Sequence, residues 1–292
     1  MQNFHGNYYV SLFKRQLSFL AAAPAFVWQV LFFAVPLICI VGLSFLVISD
    51  SVITVTSTFY TFFLALPYVR IITQSLLLAL ANSIVCFIIG YPVAYFLAFR
   101  VGRLKNIFLF LLNLPFWTNM LLHIYAWLFV LDHSGLLNKL LLALGVIKQP
   151  LAMLYTVPAI LIVMVYNYLL FMILPIYAVL SQFDRKLLEA SFDLGATRWQ
   201  TWRRVMLPLS MTGVQSGFFL VFVPSFGEFV VPALMGGDKR MFVGSVISSY
   251  VLGSQTRSLG AAFTVISSIA LILFCLVLYS ITSMYVNRVA RE

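Results

Sequence analysis

Charged residues are scarce in this sequence, and their scarcity excludes an ordinary soluble domain. Only 9% of the 292 residues are Asp, Glu, Lys or Arg, whereas soluble domains carry about 25%. Hydrophobic residues make up 63%, and the runs 149–183 and 205–227 contain no charge. A membrane-spanning helix needs about 20 mainly apolar residues, and in lipid its backbone groups must pair internally. The sequence therefore predicts an all-α polytopic membrane protein.

Several kinds of chemical site are missing as well. The three cysteines, Cys39, Cys86 and Cys275, lie inside apolar runs without any C-x-x-C or Cys/His spacing. No G-x-x-x-x-G-K-[ST] sequence is present, so we expect no ATP site in this chain. The apolar runs hold no paired carboxylates, HExxH or Ser/His/Asp set, which argues against a membrane-embedded enzyme. We predict no catalytic residue, metal site or cofactor.

Six apolar segments predict six transmembrane helices. They lie at about 19–48, 71–99, 107–131, 151–180, 208–234 and 259–286. The segment 51–69 also lacks charge, but its serines and threonines are costly to expose to lipid, so we predict an external segment. Because the first apolar run continues to residue 48, we expect a retained span and not a cleaved signal peptide.

The basic residues predict the orientation. The 18 Lys and Arg residues divide twelve to six between alternate connections. Connections rich in Lys and Arg face the cytoplasm, so we predict that both termini, including Lys14 and Arg15, are cytoplasmic. These basic residues form no single patch, and no nucleic-acid partner is predicted. On the external side, leucines at helical spacing within 134–150 predict a short interfacial helix.

The cytoplasmic connection 181–207 has the most informative pattern. Asp184 can cap a first short helix, and Gly195 suits the left-handed residue that ends it. Thr197 and Gln200 have the spacing of a capping box for a second helix. We therefore predict a helix–Gly–helix unit between two spans.

This unit resembles the EAA signature of ABC importer permeases. The matching residues are Glu189, Ala190, Leu194, Gly195, Ala196, Leu207 and Pro208, with Ser191 where the family often has a second Ala. In that family the loop docks in a groove of a cytoplasmic ATPase. The resemblance thus implies a type I ABC importer permease fold and an ATPase dimer as partner, with ATP and magnesium bound there. An ordinary amphipathic connector is the alternative interpretation.

Other segments resemble permeases of the spermidine/putrescine type. They are 114–127, 138–150, 174–180 and 223–237, so that the resemblance covers most of the chain from about residue 71. One departure is His123, which stands where Arg is common in the family. Ferric iron or a phosphonate is the alternative substrate.

The resemblance also implies an organisation and partners. We expect a permease core at 71–287, preceded at 1–70 by a cytoplasmic terminus, the first span and an external segment. The implied partners are a second permease subunit and a periplasmic or lipid-anchored substrate-binding protein. The implied location is the bacterial inner membrane.

Glu228 is the one acidic residue within an otherwise apolar stretch, between Phe226 and Phe229. Ionisable residues inside spans mark functional sites by default, and aromatic ring faces attract ammonium groups. We therefore predict that the substrate path includes Glu228, Trp117, Asn119 and Tyr125. The alternatives are a wet carboxylate at an external helix end, aromatic residues that only pack, and interhelical hydrogen bonding for Asn82, Asn119 and Asn167.

A secondary transporter or channel is the competing function of a different class. Such a protein needs its own site for a coupling ion, and acidic residues inside the predicted spans are nearly absent. It would also have no use for the helix–Gly–helix unit. These two observations favour the importer subunit.

Overall fold

The computed structural model describes residues 23–49, 52–56, 58–237, 240–252 and 257–289. The predicted amino-terminal segment with Lys14 and Arg15 lies outside these residues, and so does Arg291. The described chain forms two compact units: residues up to Phe63 with Tyr250–Ile266, and Leu64–Ser249 with the residues from Ser267 on. The predicted boundary at residue 70 stays a prediction.

Helices account for most of the described chain. They are α1 (Ala23–Leu43), α2 (Thr58–Phe63), α3 (Leu66–Phe99), α4 (Lys105–Trp117), α5 (Met120–Leu131), α6 (Leu136–Ala143), α7 (Val157–Leu180), α8 (Arg185–Asp193), α9 (Arg198–Leu209), α10 (Met211–Phe226), α11 (Val230–Gly236), α12 (Val243–Leu252) and α13 (Arg257–Val289). One antiparallel hairpin, β1 (Leu46–Ser49) with β2 (Val52–Val55), pairs Leu46 with Val55 and Ser49 with Val52. This hairpin is the exception to the all-α prediction.

Aromatic contacts hold the first unit together. Phe63 is fully buried, with its ring 5.0 Å from that of Phe263 and 5.9 Å from that of Tyr250. The hydroxyl groups of Ser44 and Tyr60 lie 2.7 Å apart. Between the hairpin and α3, the six-residue α2 is too short to cross a membrane, so no additional span lies in this part of the structure.

The core of the second unit surrounds α7, which packs against α3 and α10. Its buried residues recur every three or four positions, so they occupy one broad face of the helix. They include Ile160, Val163, Met164, Met172, Ile173, Ile176 and Leu180, each at most 1% exposed. The predicted fourth span is thus the central helix of this unit.

The predicted number of spans agrees with the structure, but two spans are not continuous. Five helical segments are long and apolar enough to cross a membrane, and a pair bent by 69°, Arg198–Leu209 and Met211–Phe226, raises the count to six. The predicted third span is divided between α4 and α5, and the segment counted in its place, Met120–Ala143, joins α5 to α6, the helix predicted to be interfacial. The predicted fifth span is divided between α10 and α11 at residues 227–229. Both interruptions carry residues of the predicted substrate path.

Two glycines allow α10 to approach α7 closely. Gly213 and Gly217 have the G-x-x-x-G spacing that brings membrane helices together. A Cβ at Gly213 would lie 2.7 Å from the carbonyl oxygen of Pro175, and one at Gly217 would lie 3.1 Å from that of Met172. Because lipid supplies no hydrophobic force between helices, this close contact stabilises the pair.

Gly213→Ala should therefore destabilise the protein, since the added methyl group would overlap the backbone of α7, and Gly217→Ala should do so less, because its nearest backbone atom would be 3.1 Å away. Overpacking of this kind costs about 1–3 kcal/mol. Gly42→Ala in α1 is the matched control, because its Cβ would meet no atom within 4 Å. Melting temperatures of the purified protein in detergent test the expectation. Equal melting temperatures for all three variants would contradict it.

Candidate functional site

The predicted helix–Gly–helix unit is present in the loop between α7 and α10. Oδ1 of Asp184 accepts a hydrogen bond from the backbone N–H of Lys186 at 3.0 Å and caps α8. Gly195 has φ +80°, and the N–H groups of Gly195 and Ala196 donate to the carbonyls of Phe192 (2.9 Å) and Ser191 (3.1 Å). These two bonds form a Schellman motif. The left-handed residue that ends α8 is therefore Gly195, as predicted.

The second helix of the loop, α9, begins at a complete capping box. The hydroxyl of Thr197 accepts from the N–H of Gln200 at 3.3 Å, and Oε1 of Gln200 accepts from the N–H of Thr197 at 2.8 Å. The hydroxyls of Ser191 and Thr201 lie 3.0 Å apart and are buried, so they tie α8 to α9. Ser191, the departure from the family pattern, thus forms a contact that an alanine could not form.

The loop presents apolar side chains to its surroundings. Leu187 and Phe192 are about half exposed, and Leu194 is 88% exposed. Glu189 and Ala190 are exposed on the same helix, while Leu207 and Pro208 lie in the last turn of α9. Exposed apolar groups rimmed by polar residues mark surfaces for partners. The motif residues are therefore placed where a partner protein could contact them.

The first interrupted span breaks at Thr118 and Asn119, both of which have extended backbones. Oδ1 of Asn119 accepts from the N–H of Leu121 at 2.8 Å and caps α5. Thr118 donates to the carbonyl of Pro115 at 2.8 Å, and its hydroxyl lies 2.5 Å from Nε2 of His123. The side chains beside the break thus satisfy backbone groups that lipid cannot solvate.

The second interrupted span breaks at Glu228, which is only 9% exposed. Its Oε1 accepts from the N–H groups of Val230 (2.9 Å) and Val231 (3.3 Å), at the start of α11. Its Oε2 accepts from the hydroxyl of Tyr168, on α7, at 2.6 Å. The carboxylate is therefore not wet, because both oxygens are engaged in a buried position, and its role in transport stays a prediction.

A second polar contact lies one turn before Glu228. Nδ2 of Asn82, on α3, donates to the hydroxyl of Ser225 at 2.7 Å, and both side chains are at most 3% exposed. The thiol of Cys86 lies 3.8 Å from Oδ1 of Asn82. The interhelical hydrogen bond predicted for Asn82 is confirmed. Polar pairs thus connect α3, α7 and α10 at neighbouring levels.

A cavity of about 330 Å³ adjoins these polar pairs between α4, α5 and α7. Its walls include Thr118, His123, Tyr166 and Tyr168, and the buried Nδ2 of Asn167, which has no hydrogen-bond partner in the described structure. The interhelical hydrogen bond predicted for Asn167 is therefore wrong for its Nδ2 group. The ring of Tyr166 meets those of His123 (5.4 Å) and Trp127 (5.7 Å) edge-on. An aromatic and polar cavity beside a broken helix is a suitable place for a ligand.

None of the four predicted path residues lines this cavity. Trp117 and Tyr125 have largely exposed side chains, and neither they nor Asn119 nor Glu228 is among the residues that line it. Glu228 borders it only through Tyr168. Tyr168 is one of several aromatic residues in the predicted fourth span, and the sequence carries no signal that pairs it with an acid sixty positions away.

Comparison with known proteins then places the fold in a family. Residues 90–291 match the family described as "Binding-protein-dependent transport system inner membrane component". This chain belongs to that family. It is therefore an inner membrane component of a binding-protein-dependent transport system, as the EAA resemblance predicted.

Relatives within the family match almost the whole chain. The spermidine/putrescine transport system permease protein PotB of Escherichia coli K12 is 38% identical over 268 residues, which are 91% of this chain and 98% of the relative. PotB of Haemophilus influenzae is 35% identical, over 94% of this chain and 96% of its own length. The predicted resemblance to spermidine/putrescine permeases is confirmed.

Solved structures of the same fold are more distant in sequence. A bacterial ABC transporter involved in import of the acidic polysaccharide alginate has a chain with a TM-score of 0.67 and 16% identity, covering 97% of this chain and 99% of its own. The same kind of transporter in complex with a periplasmic protein bound to an alginate pentasaccharide gives a TM-score of 0.70 and 16% identity, over 92% and 94% of the two chains. These likenesses confirm the type I ABC importer permease fold.

Ser225→Ala should destabilise this permease, because it leaves the amide of Asn82 buried without an acceptor. Such a loss costs about 1–3 kcal/mol. Ser216→Ala is the control, since its exposed hydroxyl bonds only to Thr212 within α10. Thermal melts of both variants, with Asn82→Leu and the Asn82→Leu/Ser225→Ala double variant, measure the coupling. A coupling energy near zero would contradict a direct bond.

Proposed function

We propose that this permease forms half of a polyamine path in an ATP-driven importer and that its 181–207 loop couples the path to a separate ATPase dimer. The observation that carries the proposal is the construction of the loop. Two short helices are fixed to each other by the Schellman motif at Gly195, the Thr197 capping box and the Ser191–Thr201 contact. A loop without such contacts would deform when a partner protein moved, and would not transmit the movement to the membrane-spanning helices.

The route from the loop into the membrane is short. The second loop helix, α9, continues as helical structure to Leu209, and α10 begins at Met211. Any displacement of the loop therefore reaches α10 and, at its far end, Ser225 and Glu228. The exposed Leu194, Leu187 and Phe192 supply an apolar surface for the ATPase. This chain lacks a P-loop, so ATP and magnesium are assigned to that partner.

The substrate class rests on the relatives and on the intramembrane chemistry. The relatives that match over nearly the full length are named spermidine/putrescine permeases. Moving a polycation through an apolar medium without a compensating charge is very costly. We assign that charge to Glu228, whose carboxylate caps α11 and accepts from Tyr168. Movement of α10 would break the Tyr168 contact and free one oxygen for an ammonium group.

The remaining parts of the importer follow from the family. A binding-protein-dependent system needs a substrate-binding protein, and an alginate transporter of the same fold is seen in complex with a periplasmic one. A second permease subunit would complete the path, whose aromatic lining would include Trp117 and Tyr125 beside the Asn119 break. Both termini of this chain would lie in the cytoplasm, on the side of the 181–207 loop.

Gly195→Ala tests the coupling role with a matched control. The added Cβ strains a left-handed residue by about 1–2 kcal/mol. Gly145→Ala carries the same cost, since Gly145 has φ +69° and open space around it, but it lies after α6, away from the loop. We expect Gly195→Ala to reduce substrate-stimulated ATP hydrolysis and uptake in reconstituted vesicles, and Gly145→Ala to retain both. Equal behaviour of the two variants would refute the coupling role.

Glu228→Gln separates the charge of Glu228 from its capping contacts. The Gln oxygen can still accept from Val230 and Val231, whereas the negative charge is lost. Tyr168→Phe is the converse change, because it removes the hydrogen bond and keeps the charge. A hydrogen bond to a charged group contributes about 1.5–3 kcal/mol, so we expect Glu228→Gln to reduce polyamine uptake by about tenfold or more and Tyr168→Phe to reduce it far less.

Uptake of labelled spermidine and putrescine by vesicles with matched amounts of protein measures this difference. Wild-type rates in Glu228→Gln would remove Glu228 from the path. An equal loss in Tyr168→Phe would show that the buried contact, and not the charge, is what transport requires.

A further inference from the structure

A second cavity, of about 730 Å³, lies between α3 and the 181–207 loop. We call it the α3–α9 groove. One wall is the face of α3 that carries Phe87, Tyr91 and Tyr95, and the facing wall carries Trp199 and Trp202 of α9. None of these residues belongs to the EAA pattern or to the proposed substrate path. Phe192, which the proposed function assigns to the ATPase surface, also lines the groove, but the aromatic and basic residues are left unexplained.

The length of the groove matches one leaflet of a bilayer. Phe87, Tyr91 and Tyr95 recur every four residues and form a continuous stripe along α3. From Phe87 to Arg100, just beyond the end of α3, the chain rises about 20 Å at 1.5 Å per residue. Half of a hydrocarbon core about 30 Å thick is about 15 Å. The groove therefore extends over the depth of an acyl chain.

The charge in the groove is positive and concentrated at one end. Arg100 and Arg198 both line it, and no acidic side chain does. Neither guanidinium group forms an ion pair or a side-chain hydrogen bond within the described residues. Arg presents several N–H donors in a planar fork that matches a phosphate group. Both side chains are exposed, so the two guanidinium groups are free to bind an anionic group that enters the cavity.

Aromatic rings surround the charged end of the groove. The rings of Trp199 and Trp202 stack with centroids 4.7 Å apart, and Trp202 meets Tyr91 edge-on at 5.7 Å. Trp199 is largely exposed. Trp and Tyr concentrate at the level of lipid headgroups, where one part of the ring is apolar and the other is wet. Along the groove, an apolar stripe is followed by an aromatic and basic end. A phospholipid has the same order, an apolar acyl chain followed by a polar headgroup.

We infer that the α3–α9 groove binds an anionic phospholipid of the cytoplasmic leaflet. Its acyl chain lies along the stripe of α3, and its phosphate pairs with Arg100 and Arg198. The inference rests on the proposed function at one point, the cytoplasmic position of the loop. A lipid in this position would contact both α3 and α9, and so would stabilise the loop against the membrane-embedded helices during coupling.

Fluorescence quenching by brominated lipids tests the inference without any transport assay. The full-length protein is placed in phosphatidylcholine bilayers that contain a small fraction of either brominated phosphatidylglycerol or brominated phosphatidylcholine. Tryptophan fluorescence is measured, and the part of its quenching that is lost in the Trp199→Phe/Trp202→Phe variant is the signal that reports lipid in the groove. We expect the brominated phosphatidylglycerol to quench this signal at a lower mole fraction, because only its headgroup is anionic.

Paired variants identify the residues responsible. Arg100→Gln/Arg198→Gln should raise the mole fraction needed for half quenching about fivefold for each lost charge. The matched control is Arg103→Gln/Arg204→Gln, which removes two exposed charges nearby that do not line the groove. Its quenching curve should follow that of the wild-type protein.

Three results would overturn the inference. They are equal quenching by the two lipids, an equal change in the control variant, and loss of quenching when the purified ATPase is added, which would make the ATPase the occupant. Uptake by the wild-type importer is measured separately in bilayers with and without phosphatidylglycerol. Absence of uptake in both would count against the proposed function, whereas the quenching result stands on its own.

Discussion

Backbone groups that lose their helical partners at two helix breaks impose the constraint on which the rest of this structure depends. Hydrocarbon cannot solvate an unpaired N–H or C=O group, so a span can be interrupted only where side chains replace the missing partners. Asn119 does so at the start of α5, and Glu228 does so at the start of α11. Because both breaks lie beside α7, they place polar groups and a cavity within an otherwise apolar set of helices.

The helix α7 relates the breaks to the cytoplasmic loop. Gly213 and Gly217 allow the first part of α10 to pack closely against α7. Beyond the other end of α10, Tyr168 of α7 donates a hydrogen bond to Glu228. The loop helices α8 and α9 are fixed to each other and enter α10 after a bend of 69°. A displacement of the loop therefore has a direct route to the interrupted fifth span, through α10.

Sequence patterns within a few residues predicted much of this arrangement, but contacts between residues that are far apart in the sequence were not predicted. Asp184, Gly195, Thr197 and Gln200 act within their own loop, so spacing was enough to predict their roles. The contact of Tyr168 with Glu228 depends on how α7 meets the end of α10, and the missing partner of Asn167 depends on how α7 meets α4 and α5. A single sequence does not encode either arrangement in a local pattern. The break at Thr118 and Asn119 was also missed, because apolar composition continues through it, whereas Pro224, Gly227 and Pro232 indicate an irregular helix around Glu228. Only β2 lies in the predicted external segment, since β1 falls mostly in the predicted first span.

The measurement that tests the central claim most directly is crosslinking between the loop and the ATPase. Leu194→Cys, in a chain whose Cys39, Cys86 and Cys275 are replaced by Ala or Ser, presents a thiol at a strongly exposed position of the loop. Leu136→Cys, at an exposed position of α6, is the control. The account predicts that cysteines in the surface groove of the ATPase crosslink to position 194, with a yield that changes when ATP binds, and never to position 136. Crosslinking at neither position, or equally at both, would contradict it.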